Sequence, residues 1–252
     1  MFDDVSDIFE ATVDWPKRLA HEAPFYRRWF EQVGVRSVVD VACGGGRHAA
    51  MFHDWGLDVE GADISQKMIA RAKAAFGESE RLRWAVRGFD EPYTPRPPFD
   101  AAVCVGNSLA LAADRAMAER AVRQMLSMVR GGGLVVIHVL NLWSLPDGPC
   151  VWHKCQQVTL PAGGAIVLRG VHRCGGRGYV ELAAITPGGD ASGVPTLRAE
   201  ATPLLGFEAT DLERMARSSG AAETCFFGGY RDQPYEREKS SDLIIVATRG
   251  SN

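Results

Sequence analysis

The chain has no CxxC pair, no basic run and no long apolar segment, and each absence removes a class of function. Its six cysteines (Cys43, Cys104, Cys150, Cys155, Cys174 and Cys225) are scattered. Without paired spacing a zinc site is not expected. They read as reduced thiols of a cytoplasmic protein, several of them small apolar fillers on strands. No stretch approaches the eighteen or so apolar residues that cross a membrane, so no membrane partner is expected. The start, MFDDVSDIFE, is acidic and lacks the basic-then-apolar order of a secretory signal. Basic residues gather no further than pairs such as Arg27-Arg28, and net charge is −3, which argues against nucleic acid.

What is present is an ordinary globular balance. Apolar residues make up 46% and charged residues 23% of 252, enough to build one core with an insertion and no staples. From residue 36 short apolar runs alternate with helical patterns. Strands are expected at 38–42, 57–62, 82–86, 99–105 and 133–140. Between them lie a helix from about Arg47 to Gly56, one from a Ser65 cap to Gly77, and one with Ala118, Ala121, Val122, Met125, Leu126 and Val129 on one face, stopped at Gly131. Such alternation implies right-handed crossovers and a parallel sheet covered on both faces. After Asn141 the rhythm breaks. Residues 150–206 hold short alternating runs among glycines and prolines, which reads as a small antiparallel insert. Thr210-x-x-Glu213 suggests a capping box for a last helix, and two closing strands, ETCFFGG and SDLIIVATR, should pair antiparallel.

The stretch VVDVACGGGRHAAMF, residues 38–52, carries the chemistry. Gly44-x-Gly46-x-x-Ala49 meets the loose dinucleotide fingerprint, in which glycines admit a ligand to the backbone and a helix N-terminus offers free N–H groups. Asp63 ends the second strand 19 residues after Gly44. Its carboxylate suits two ribose hydroxyls, or else caps the next helix. Asp40 stands directly before the glycines, where it would repel a pyrophosphate and attract an ammonium. Together with the antiparallel ending, these demands describe a cofactor with adenine, ribose, a cationic amino acid and no phosphate: S-adenosylmethionine.

DVACGGG resembles the D-x-x-C-G-x-G signature of class I S-adenosylmethionine-dependent methyltransferases, and ADIS at 62–65 resembles their ribose-binding strand end. VCVGNSLA (103–110) and MLSMVRGGGLVVIHVLN (125–141) are similar to segments of the glycine N-methyltransferase group. The resemblance implies an α/β, doubly wound, seven-stranded and mostly parallel Rossmann-like sheet with a C-terminal antiparallel hairpin and the small β insert. It also implies a single domain: a helical lid at 1–35, the cofactor core at 36–149, the insert over the active site at 150–206, and the last helix and strand pair at 207–252. Cofactor contacts are implied at Asp40, Ala42, Cys43, Gly44 and Gly46, then at Asp63, Ile64 and Met68. Phe89 and Asp90, Gly106 and Asn107 follow, with Trp15 and Arg18 from the lid. The usual acidic residue after a glycine is here Phe89 after Gly88, so either Asp90 or backbone groups serve the adenine. No arginine matches the substrate-carboxylate position of glycine N-methyltransferases, so glycine itself is not implied.

On the acceptor side the candidates are Asn141, Tyr26 and His172. Asn141 ends the fifth strand and is a substrate contact by resemblance, or a turn former. Tyr26 lines the methyl site or packs the core. His172 stands in GVHRCGGRGY (170–179) with Arg173, Arg177 and Tyr179, a base or anion clamp or else a solvated hairpin. His138, inside an apolar strand, reads as a core histidine. Tyr230 and Tyr235 roof the site or belong to a surface loop. The expected activity is methyl transfer to nitrogen, or secondarily to oxygen, of a small polar metabolite, and a homo-oligomer is allowed. A nicotinamide-dependent oxidoreductase and a non-catalytic S-adenosylmethionine sensor are the alternatives.

Overall fold

The computed structural model describes residues 8, 10–160, 163–188 and 195–251. The chain divides into two compact units, one of Trp15–Ser144 with Phe207–Asn252 and one of Leu145–Gly206 with the N-terminal segment through Asp14. The boundaries of the units fall after Asp14, Ser144 and Gly206.

The larger unit starts with α1 (Trp15–Val33), whose Phe25, Tyr26 and Phe30 are buried. Then come β1 (Ser37–Asp40), α2 (Arg47–Asp54), β2 (Asp58–Asp63), α3 (Gln66–Phe76), β3 (Leu82–Val86), β4 (Phe99–Cys104), α4 (Arg115–Met128) and β5 (Val129–Leu140). Val38, Val39, Ala101, Ala102, Val103 and Val136 have no exposure, as strands packed under helices on both faces require. Ser65 caps α3 by accepting the Met68 N–H at 3.3 Å, and Asp114 caps α4 by accepting that of Met117 at 2.7 Å.

One expected boundary is corrected here. Helix α4 stops at Met128 and runs straight into β5, so Gly131 and Gly133 lie inside the strand and are not a helix stop and a strand start. The β4–β5 ladder skips from Phe99↔Val129 to Ala101↔Leu134, and a Cβ on Gly133 would lie 2.7 Å from the Asp100 carbonyl oxygen. These glycines permit a bulge and a close backbone approach.

The smaller unit is an antiparallel meander of β6 (Val151–Leu160), β7 (Gly163–Cys174), β8 (Arg177–Thr186) and β9 (Thr196–Leu205). Val158, Ala165, Val167, Leu182 and Ala184 form its core, with Ile8 and Ala11 packed against them. The Gln156 side chain donates to the Thr12 carbonyl at 3.0 Å. The filler reading of the cysteines holds for Cys43 and Cys104, which are buried; Cys155, Cys174 and Cys225 are exposed, because strand alternation turns them outward.

The chain returns to the larger unit with α5 (Ala209–Ser218), β10 (Ala221–Phe227) and β11 (Asp242–Arg249). The cap of α5 is Glu208, whose N–H donates to Asp211 at 3.1 Å; Thr210 already lies within the helix, so the expected Thr210/Glu213 box is not the one used. Strand β11 pairs antiparallel with β10 and β5, giving the sheet order β10-β11-β5-β4-β1-β2-β3. From β1 the chain winds outward through β2 and β3, then returns through β4 and β5 on the other side. The topological switch point therefore lies between β1 and β4, where a doubly wound sheet opens a crevice beyond its carboxyl strand ends.

Candidate active site

Asp40 closes β1 at that switch point and is only 1% exposed. Burial pushes its carboxyl up to about 7; the Ala42 amide pulls the other way and the charge of Asp63 adds to the rise. The Ala42 amide does not reach hydrogen-bond geometry, and neither Asp40 oxygen has a partner among the described residues. A buried carboxyl with two idle acceptors is costly unless a cation meets it.

The cation of the chain itself stands nearby and is held elsewhere. Arg18 of α1 donates its Nε–H to Glu22 Oε1 at 2.7 Å. Its Nη2 lies 3.5 Å from where a Cβ on Gly106 would sit, just beyond β4, the strand that pairs with β1. A cation and a carboxyl at neighbouring strand ends suit a zwitterionic amino acid, carboxylate to Arg18 and ammonium to Asp40. Burial lowers the guanidinium pKa, and the charge and hydrogen bond of Glu22 more than reverse this, so Arg18 stays charged.

Asp63 closes β2 and ties two loops together. Its Oδ2 accepts the Gly44 N–H at 2.8 Å and its Oδ1 accepts the Ser65 N–H at 2.9 Å. The capping role is the one its bonds fill, and each oxygen keeps acceptor capacity for a hydroxyl. Ile64, next to it, is 70% exposed, an apolar face open to a flat ring, and Phe89 beyond β3 is half-buried. Ala42 and Cys43 are in the loop between β1 and α2, with Cys43 buried; Met68 of α3 packs 3.6 Å from a Cβ placed on Gly44. Gly46 also has a packing job. At φ 82 it caps α2, and a Cβ there would lie 2.6 Å from the Trp84 ring, so it is kept small for helix–strand packing.

Asp90 is engaged by Arg120 at 3.0 Å. Asn107 adopts a left-handed conformation (φ 74) and its Oδ1 accepts the Leu140 N–H at 2.9 Å. Gly106 donates its N–H to His138 Nδ1 at 3.2 Å, and His138 Nε2–H donates to Asp242 at 3.0 Å, so both imidazole nitrogens are used. Trp15 is half-buried, with the Arg18 guanidinium 5.1 Å from its ring centre.

The acceptor-side expectations fare differently. Asn141 is fully buried, and its amide donates to the carbonyls of Arg237 and Ser240, each at 2.7 Å. Its Oδ1 accepts from the Trp143 N–H and the Tyr235 hydroxyl, each at 3.2 Å. With both hydrogens and both lone pairs committed, a direct contact to an acceptor would break one of these bonds; what Asn141 does here is anchor the segment before β11 and aim Tyr235. Tyr26 is also fully buried, set among Phe30, Phe52 and Tyr230, and its hydroxyl meets that of Tyr230 at 3.3 Å. Burial drives its phenol pKa well up, which keeps it neutral in a packing role. His172 lies in β7 of the smaller unit, stacked on Tyr179 at 4.9 Å, and Arg173 is paired with Asp147 at 2.9 Å. Sequence reasoning missed Glu22 and His48, which meet at 2.7 Å. Arg18 and Glu22 are one helical turn apart and were findable; His48 is 26 residues on, beyond any local signal.

The family model described as a methyltransferase domain matches residues 38–133, the segment from β1 into β5. The fold is similar to that of the sugar N-methyltransferase KedS8 from Streptoalloteichus, at TM-score 0.75 and 26% identity over 92% of this chain and 88% of that one. Over residues 38–133 the chain matches a methyltransferase domain, and it resembles the class I S-adenosylmethionine-dependent methyltransferases. These likenesses favour S-adenosylmethionine over the nicotinamide alternative. The chain is also similar to the glycine N-methyltransferase group: it is 32% identical to glycine N-methyltransferase of Oryctolagus cuniculus over 154 residues, 51% of this chain and 52% of that protein. The chain thus spans about half the length of these curated relatives. Its fold is also similar to S-adenosylmethionine-bound CalS10, an amino pentose methyltransferase from Micromonospora echinaspora, at TM-score 0.73 and 20% identity over 96% of each chain. The family's cofactor, S-adenosylmethionine, fits the idle carboxyl of Asp40, the Arg18 fork and the open face of Ile64.

Proposed function

We propose that this methyltransferase moves a methyl group from S-adenosylmethionine to an amine nitrogen of a small polar metabolite, with oxygen as the secondary acceptor. S-adenosylmethionine supplies an electrophilic sulfonium methyl, and the chain has to hold it in line with the acceptor. The pairing of Arg18 with the unpartnered Asp40 across the β1–β4 switch point carries the cofactor half of the reading. Asp63 then takes the ribose, while Ile64 and Phe89 flank the adenine.

The acceptor half is supported by chemistry and likeness together. Alignment alone lowers the barrier substantially, so a neutral amine needs only orientation, whereas an acidic oxygen or carbon needs a base. His138, at the carboxyl end of β5, has both nitrogens bonded and offers no free lone pair. The names of the relatives, glycine and sugar N-methyltransferases, point to nitrogen as well. Amino sugars and small amino acids are therefore the first acceptors to test. We also propose that residues 145–206 help to define the acceptor.

The test is incubation with S-adenosylmethionine and a panel of such amines, reading S-adenosylhomocysteine release and product mass, with the new methyl located by NMR. An N-methylated product is expected. A C- or S-methyl product would sink the acceptor assignment, and cofactor binding without turnover on any small amine would favour the sensor alternative.

A further inference from the structure

We propose that Glu22 and His48 are positioning residues that hold the Arg18 guanidinium open for the cofactor's carboxylate, acting through Arg18. The inference rests on the functional reading above, in which Arg18 receives that carboxylate. Glu22 is 4% exposed and His48 5%, yet neither belongs to the glycine loop or the acceptor side. They join α1 to the first turn of α2, the helix that follows the glycines.

The geometry of the contact is the main observation. An arginine beside a carboxylate commonly engages it with two parallel N–H groups. Here Glu22 takes only the Nε–H of Arg18, on Oε1 at 2.7 Å. Its second oxygen is occupied by His48 Nε2, also at 2.7 Å. His48 thereby denies Oε2 to the guanidinium, and Nη2 stays turned toward Gly106 and the switch point. Burial draws the imidazole pKa down, so His48 is neutral near pH 7 and donates Nε2–H. Burial alone would raise the Glu22 carboxyl, but the hydrogen bond from His48 and the charge and hydrogen bond of Arg18 outweigh it and hold it below the ordinary carboxylate range, so the acceptor remains ionised. Trp15 and Tyr26 wall the cluster, with ring centres 6.1 and 6.2 Å from that of His48. Pinning α1 to α2 needs only the Glu22–His48 bond; it does not require the one-pronged engagement that leaves Arg18 Nη2 turned toward Gly106.

The two roles separate on a pair of ligands. S-adenosylhomocysteine carries the carboxylate; 5′-methylthioadenosine shares the adenosine and sulfur and lacks the amino acid. In Glu22→Gln and in His48→Leu, calorimetry should find S-adenosylhomocysteine weakened by about tenfold or more, the scale of one charge-assisted hydrogen bond, with 5′-methylthioadenosine within about twofold of wild type. His48→Gln, whose amide can donate from a similar place, should recover most of the loss. In an Arg18→Ala background Glu22→Gln should have little further effect. Equal losses for both ligands, or additive losses with Arg18→Ala, would leave only a structural role and overturn the proposal. Should Glu22→Gln fail to fold, the His48→Leu and His48→Gln pair carries the same comparison. Wild-type protein that binds neither ligand would overturn the functional reading itself, whereas wild-type binding that Arg18→Ala leaves intact would overturn this inference alone.

Discussion

At the scale of single residues, Asp40 ties the cofactor to pH. Its folded pKa of about 7 stands above the ordinary 3.8, so the empty protein gains from its neutral form below pH 4 and loses that gain as pH rises through 7. The loss amounts to at most about 4 kcal/mol, from roughly three units at 1.36 kcal/mol each. An ammonium ion reverses the sign by stabilising the carboxylate. Cofactor affinity should therefore weaken as pH falls from 7 to 5.5, by up to about tenfold per unit, with a proton released on binding. Calorimetry in buffers of different ionisation enthalpy counts that proton. Affinity that is flat across this range, with Asp40→Asn equal to wild type, would remove Asp40 from the site. Asp63→Ala loses two backbone hydrogen bonds as well as the proposed ribose acceptor. A drop in cofactor affinity of about tenfold to a hundredfold is expected, together with lower stability, because charged hydrogen bonds are worth roughly 1.5–3 kcal/mol each. Unchanged melting in that variant would contradict the loop-tying role.

At the scale of elements, one glycine and one asparagine hold the site's framework. Gly46→Ala places a methyl 2.6 Å from the Trp84 ring at a φ of 82, so α2 must shift against β3. Destabilisation of about 1–3 kcal/mol is expected from overpacking and strain. Chemical denaturation measures it, and a loss under 0.5 kcal/mol would show that the contact relaxes freely. Asn141→Ala leaves the carbonyls of Arg237 and Ser240 without their donor and frees Tyr235. It should raise proteolytic nicking between β10 and β11 and lower turnover more than cofactor affinity. Nicking at the wild-type rate would argue that other contacts suffice to hold that segment.

At the scale of the whole molecule, the division into two units has a functional corollary. Every cofactor-side residue named above lies in Trp15–Ser144, within the larger unit. Replacing 145–206 by a short linker should leave S-adenosylhomocysteine affinity within a few-fold of wild type and abolish or alter acceptor use. Saturating ligand at a hundred times its dissociation constant should still add about 2.7 kcal/mol of stability, read as a rise in melting temperature. If the shortened protein methylates the same amine with the same efficiency, the acceptor role of this segment is lost.

By itself the sequence determined the strand–helix alternation, the glycine loop, and the places of Asp40 and Asp63 at the ends of neighbouring strands, because these signals are local. Hydrophobic period, caps at Ser65 and glycine punctuation each act within a turn or a strand. The boundary between α4 and β5 escaped it because Gly131 and Gly133 look like a helix stop when read along the chain, and only the neighbouring strand with its Asp100 carbonyl reveals a bulge. Tertiary structure alone decided what the acceptor-side residues do. Asn141 and Tyr26 are candidates in sequence because polar groups at strand ends and in lids often meet ligands. Their partners Arg237, Ser240, Tyr235 and Tyr230 come from 94 to 204 residues away, and it is those long-range bonds that use up their polar groups. The same holds for Glu22 and His48: a buried carboxylate survives only where a donor is brought to it, and folding of α1 onto α2 brings that donor.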